Sequence, residues 1–158
     1  MKATIISQLK QELKNRSSNE LMELCLRLAR FKKENKELLT YLLFDVQDEQ
    51  AFIEMIKTEM DRQFREINKS NIYFAKKSIR KIVRTMNKFI RFSGLKQTEV
   101  ELLLHFCKRL KDSGIPMNES IALSNIYFGQ IQKIKKALRT LHEDLQFDYG
   151  EELKPLLI

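Results

Sequence analysis

Apolar residues recur at steps of three and four along most of the chain, and the longest regular run lies between Asn71 and Phe92. Ile72, Ala75, Ile79, Ile82, Met86 and Phe89 mark one face of an amphipathic helix there. Lys77, Arg80, Lys81, Arg84, Lys88 and Arg91 fall on the other face, within an arc of about 100°. One helix is therefore expected to carry both a core-facing seam and a positive ridge.

The same period predicts the other elements. Ile5, Ile6, Leu9 and Leu13 form a short helix that ends near Asn15. Ser17, with Glu20 three residues on, has capping-box spacing and opens a second helix with Leu21, Leu24, Leu28 and Phe31 inward. Asn35 is placed to cap a short third helix, whose apolar residues from Leu38 to Phe44 wrap nearly all round, the pattern of an interior element. Asp45 or Asp48 begins a fourth helix with Ile53, Ile56, Met60, Phe64 and Ile67 on its inner face. A turn at Lys69, Ser70 and Asn71 leads into the long helix described above, and Ser93-Gly94 ends it. Thr98 with Glu101 repeats the capping-box spacing and starts a sixth helix, with Val100, Leu103, Cys107 and Leu110 along one seam. Gly114 and Pro116 then make the strongest break in the chain. Asn118 caps the last long helix, with Tyr127, Ile131, Ile134, Leu138 and Leu141 inward. Gly129 can divide it, because a glycine inside a helix costs about 1 kcal/mol relative to alanine. The acidic end is expected to fray after Gly150.

These elements amount to a single all-α domain over residues 1 to 158, with six or seven helices. Either an armadillo- or HEAT-like helical stack or a compact antiparallel helical bundle satisfies them. The helices opening at Ser17 and Thr98 are each followed by a short apolar helix and then a longer one, which hints at a duplicated unit.

Length and composition agree with that picture. A chain of 158 residues suits one domain burying roughly two thirds of its unfolded surface, and 4 Gly with 2 Pro leaves few turns. Net charge is +8 and unevenly spread: residues 67 to 98 hold 9 Lys plus Arg and no acid, whereas the rest holds 20 cations against 21 anions. The excess therefore sits on the central helix, and an acidic partner is expected, a protein before a nucleic acid. Cys25 and Cys107 lie 82 residues apart without CxxC spacing and read as reduced, buried thiols of a cytoplasmic protein. The start, MKATIISQLKQEL, is too short and polar for a signal peptide, and no apolar run approaches the roughly 18 residues of a membrane span, so no membrane insertion is expected.

The segments ELMELCLRLARFKKENKELLTYLLF from Glu20, KQTEVELLLHFC from Lys96 and KKALRTLHEDLQFDY from Lys135 resemble a small family of bacterial all-helical proteins known only as a domain of unknown function. The resemblance covers roughly residues 18 to 149. It implies a helical, cytoplasmic bacterial protein and brings no activity, cofactor or catalytic residue with it.

Nothing in the chain spells out a reaction. His105 stands between Leu104 and Phe106 on a helix, and His142 precedes Glu143, Asp144 and Asp148 but lacks the second histidine and the cysteine that a zinc site would use. No GxxxxGK[ST], GxGxxG or GxSxG occurs. No catalytic residue, metal site or cofactor is assigned, and the protein is read as a non-enzymatic interaction or scaffold protein. A cavity gathering His105 or His142 with several carboxylates would point to an enzyme instead.

The positive ridge carries the functional reading. Tyr73, Phe74 and Phe92 fall on or beside it, and cations with flanking rings also suit phosphates and bases, so a nucleic acid is the alternative partner. Lys133, Lys136 and Arg139 form a second, shorter basic arc. Against an external partner stand six acids, Asp45, Asp48, Glu49, Glu54, Glu59 and Asp61, which could neutralise the ridge from within if the fourth and fifth helices pair. Such a hairpin is expected to reach only edge residues such as Lys76 and Arg80.

Overall fold

The computed structural model describes residues 1 to 157, and these are all-helical. Eight helices follow in order: α1 (Ile6–Lys14), α2 (Ser18–Phe31), α3 (Lys33–Leu43), α4 (Glu49–Arg65), α5 (Ile72–Ser93), α6 (Lys96–Asp112), α7 (Ile121–Leu138) and α8 (Glu143–Leu153). Short 3-10 turns lie at Asp45–Gln47, Met117–Glu119 and Lys154–Leu156. The chain divides into two compact units, Met1–Phe44 and the portion from Asp45 onward.

In the second unit the centre is α6. Val100, Leu102, Leu103, Phe106, Cys107 and Leu110 are all fully buried, and successive positions such as Leu102 and Leu103 bury more than one side of the helix. It packs against α4, α5, α7 and α8, which explains why one seam was not enough to describe it. Most of the predicted seams of the surrounding helices lies in this core: Ile53, Ile56, Met60 and Phe64 from α4, Ala75, Ile79, Ile82 and Met86 from α5, and Tyr127, Ile131, Ile134 and Leu138 from α7, whereas Ile72 and Phe89 near the ends of α5 and Leu141 beyond α7 are half-buried. Each such large apolar side chain contributes about 2 kcal/mol by leaving water.

Several local expectations are corrected. Thr98 does not cap α6; its hydroxyl is buried and donates to Glu49 Oε1 at 2.6 Å, so the helix starts at Lys96 with no side-chain cap. Ser120 rather than Asn118 caps α7, accepting from the Leu123 N–H. Asn35 lies inside α3 and donates to the Leu28 carbonyl at 2.8 Å. Gly129 leaves α7 continuous, because tertiary packing outweighs the propensity cost of one glycine. The end does not fray after Gly150. His142 caps α8, Leu153 and Leu156 are buried, and Tyr127 Oη donates to the Leu156 carbonyl at 2.7 Å. That additional helix takes the number above six or seven.

The first unit differs most from expectation. Here α2 packs on α3, and Tyr41 is the buried residue among the three helices. Leu21, Leu24, Leu28 and Phe31, the predicted inner face of α2, are exposed, as are Ile5, Ile6, Leu9 and Leu13 of the α1 segment. Cys25 is exposed too, whereas Cys107 is buried. On α3, Leu42, Leu43 and Phe44 are exposed as well, so it is not an interior helix. Three short helices cannot enclose an apolar stripe on every one of their sides. Periodicity says which residues share a face, not whether anything faces them.

Candidate functional site

The basic ridge is built on the longest helix. Asn71 launches α5 by accepting hydrogen bonds from the N–H groups of Tyr73 at 2.9 Å and Phe74 at 3.3 Å. Gly94, at φ 70° in the left-handed region, ends it with its N–H on the Ile90 carbonyl at 2.9 Å. Between these caps run 22 residues, about 33 Å.

With its seam in the core, α5 holds Lys77, Arg80, Lys81, Arg84 and Arg91 exposed, and none of these five makes a side-chain hydrogen bond or an ion pair among the described residues. Lys88 is half-buried, its ammonium 4.8 Å from the centre of the Phe89 ring. Of the acids that might have neutralised the ridge, Asp48, Glu54, Glu59 and Asp61 bond to groups outside it. Asp48 accepts from the Ala51 N–H at 3.0 Å, and Glu49 accepts from Thr98 and Ser93. Glu54 pairs with Lys57 at 3.2 Å, Glu59 with Arg62 at 2.6 Å, and Asp61 with Arg109 at 2.7 Å. The Glu59 carboxyl is held below its ordinary pKa chiefly by its hydrogen bond to Arg62, with only a minor attraction from Lys81.

Lys81 is the ridge cation on the α4 side, where with Ser78 it borders a shallow depression shared with Arg62, Gln63 and Glu66. Lys76 and Arg80, expected to meet α4, lie instead on the opposite flank toward α7. There α5 and α7 enclose an open cleft of about 590 Å³. Val83 and Ile126 supply apolar contact in it, and Tyr73, Lys76, Lys77, Arg80 and Arg84 line the remainder. Tyr73 is 64% exposed, and its ring meets that of Phe74 edge-on at 5.6 Å. Phe92 packs edge-on against Phe89, whose ring in turn meets Phe52, so it belongs to the margin of the core. Lys133, Lys136 and Arg139 are exposed on α7 and its C-cap without ion pairs among the described residues. Lys133 stands seven residues from Ile126, hence on the same side of α7 and roughly 10 Å along it.

A second cleft, of about 430 Å³, brings together residues that were far apart in the sequence. His105, Glu101, Asp112 and Glu152 line it with Lys57, Lys108, Lys111 and Tyr149. His105 Nε2 lies 2.6 Å from Asp61 Oδ1, and the same carboxylate takes two bonds from Arg109, each of 2.7 Å. Burial opposes the Asp61 charge, but Arg109 and His105 prevail and lower its pKa. Burial also lowers the His105 pKa, in spite of the opposite pull of Asp61. Lys57 bonds to Glu101 at 3.1 Å as well as to Glu54; burial acts against its charge, and these carboxylates raise its pKa regardless. Tyr149 donates to Glu101 at 2.9 Å and accepts from Gln97 at 3.0 Å, its own pKa pushed up to about 12 by burial and then by Glu101. Lining charges of the two signs balance, and no Ser, Thr or Cys is among them. His142 is remote from this arrangement in role: exposed, it accepts from the Asp144 N–H at 3.2 Å as the cap of α8.

Among the described residues no group of three or more His, Cys, Asp and Glu is arranged to hold a metal ion, and no helix is long and apolar enough to cross a membrane. No family model, curated protein or solved structure matches the chain.

Proposed function

We propose that this chain is a non-enzymatic helical binding protein whose α5 face docks an acidic segment of a partner protein along the cleft beside α7. The carrying observation is that Lys77, Arg80 and Arg84 stand without ion pairs among the described residues around an apolar contact made by Val83 and Ile126. An amphipathic helix with acids flanking an apolar stripe matches that arrangement, whereas a phosphate backbone gains nothing from Val83 and Ile126. The successive pairing of helices, α4 with α5 and α6 with α7, suits a stacked scaffold of the armadillo or HEAT kind, which presents such faces.

A titration tests this reading with three labelled probes of equal charge: an amphipathic Glu/Leu helical peptide, an all-Glu peptide and a single-stranded DNA. Binding is expected in the order just given, and Lys77→Ala/Arg80→Ala/Arg84→Ala is expected to weaken the first at least about tenfold. Tighter binding of the DNA, with a steep salt dependence lost in the triple variant, would transfer the site to nucleic acid, a reading that the exposed rings of Tyr73 and Phe74 favour.

A second reading rests on the His105 cleft. With Asp61 holding Nε2, the Nδ1 lone pair is left to take a proton, the arrangement of an oriented general base. The pairing of His105 with Asp61 and Arg109, and of Lys57 and Tyr149 with Glu101, favours a structural network over this role. Turnover of any small substrate that disappears in His105→Gln without loss of fold would reverse that preference.

A further inference from the structure

We infer that Gly129 is the specificity-determining position of the cleft between α5 and α7, a gap in the α7 wall that admits one large apolar side chain of an acidic helix; the inference rests on the docking reading proposed above. It starts from a cost that the chain does not recover by itself. Gly129 lies in mid-course of the 18-residue helix Ile121–Leu138, where glycine is a poorer helix former than alanine. Among the described residues two internal reasons for a glycine are missing. Its backbone is not in the left-handed region, which Gly94 and Gly114 occupy, and a Cβ added to it meets no atom within 4 Å, so no other segment of the chain crowds it. The space in front of Gly129 is open to whatever approaches from outside.

Its neighbours on the helix surface belong to the docking face. Ala122, Ile126, Gly129, Lys133 and Lys136 follow one another at steps of four and three, which makes them one stripe along α7. Ile126 lines the cleft of about 590 Å³, and Gly129 and Lys133 continue that wall over the next two turns. Across from it Lys76, Arg80 and Val83 of α5 line the cleft at the same spacing. A helix laid between two such walls inserts side chains into holes framed by residues i, i+3 and i+7 of its host, and Ile126, Gly129 and Lys133 frame one. With no Cβ on Gly129 that hole takes a leucine-sized side chain, and the two helix axes can come closer than the usual separation of roughly 8 to 10 Å. Cations flank it on both sides: Lys76 and Arg80 from α5, and Lys133 and Lys136 from α7, none of the four in an ion pair among the described residues. The occupant is therefore a helix with a large apolar residue at the point of contact and Glu or Asp on either flank. An extended acidic chain would use the cations and gain nothing from the missing side chain.

Titration of the full chain with the labelled Glu/Leu helical peptide, the all-Glu peptide and a Glu/Ala helical peptide of equal charge reads the gap directly. Gly129→Ala is expected to raise the melting temperature and yet weaken the Glu/Leu peptide about threefold; Gly129→Leu, which fills the hole, is expected to weaken it at least about tenfold. The Glu/Ala peptide, with small side chains at the contact, should lose less on Gly129→Leu than the Glu/Leu peptide does. The all-Glu peptide, held by charge alone, should be indifferent to both substitutions. Equal affinity of the Glu/Leu peptide for the wild type and Gly129→Leu, with Lys77→Ala/Arg80→Ala/Arg84→Ala still weakening it, overturns the inference and leaves the docking reading standing. An equal loss for all three peptides also overturns it, since a damaged fold and not a filled hole would then be the cause. Failure of the Glu/Leu peptide to bind the wild type, or tighter binding of single-stranded DNA, overturns the inference and the docking reading together.

Discussion

Single residues decide two sharp outcomes. Gly94 holds φ 70° with nothing near the position a Cβ would take, so alanine there meets no neighbouring atom and its cost is the strain of a side chain in the left-handed region. Gly94→Ala is expected to lower unfolding stability by about 1 kcal/mol, read from the urea midpoint. His105 is titratable and its pKa lies below the ordinary 6.5, so the unfolded chain takes up the proton first as the pH falls. Stability is then complete above about pH 6.5 and declines on acidification through the window beneath it. His105→Gln removes that slope: between pH 7 and 5.5 the wild type should lose more stability than the variant. Parallel loss in both proteins would show that this ring is not responsible.

For whole elements, α7 offers a gain rather than a loss. Gly129 is exposed, lies in the continuous helix Ile121–Leu138, and would bring a Cβ into open space. Gly129→Ala should stabilise the protein by about 1 kcal/mol, visible as a raised melting temperature. An unchanged or lower temperature would mean that this side of α7 is covered in solution. The element-level patterns were legible in the sequence where burial is one-sided: the α5 seam and ridge were read residue by residue from period alone. For α6 the seam of Val100, Leu103, Cys107 and Leu110 was read and is buried, but the further burial of Leu102, Leu104 and Phe106 was not, because a helix buried on several sides has no single apolar stripe. Capping signals were similarly ambiguous. Ser17 and Glu20 do form both bonds of a capping box, whereas Thr98 and Glu101 share the spacing and spend their oxygens on Glu49, Lys57 and Tyr149.

Across the molecule, burial is concentrated in α6 and nearly missing from α1 and α2. Amide hydrogen exchange should therefore be slowest in α6, where opening requires global unfolding, and fastest in α1. The division of charge follows the same logic. Asp61, Glu54 and Glu59 of α4 are drawn to Arg109 and His105 of α6 or to Lys57 and Arg62 of their own helix, and Lys77, Arg80, Lys81, Arg84 and Arg91 of α5 are left without ion pairs among the described residues.

The approximate positions of the first seven helices, the apolar and basic faces of α5 and the surplus of charge in residues 67 to 98 were settled by the order of the amino acids, because each depends on neighbours three or four places away. The helix that occupies the centre, the acid that meets each base, the gathering of His105 with Glu101 and Glu152, and the uncovered seam of α2 were decided in three dimensions. Asp61 and Arg109 are 48 residues apart and Lys57 and Glu101 are 44 apart. Contacts at such separations follow from how helices pack against one another, and a repeat of 3.6 residues carries no record of that.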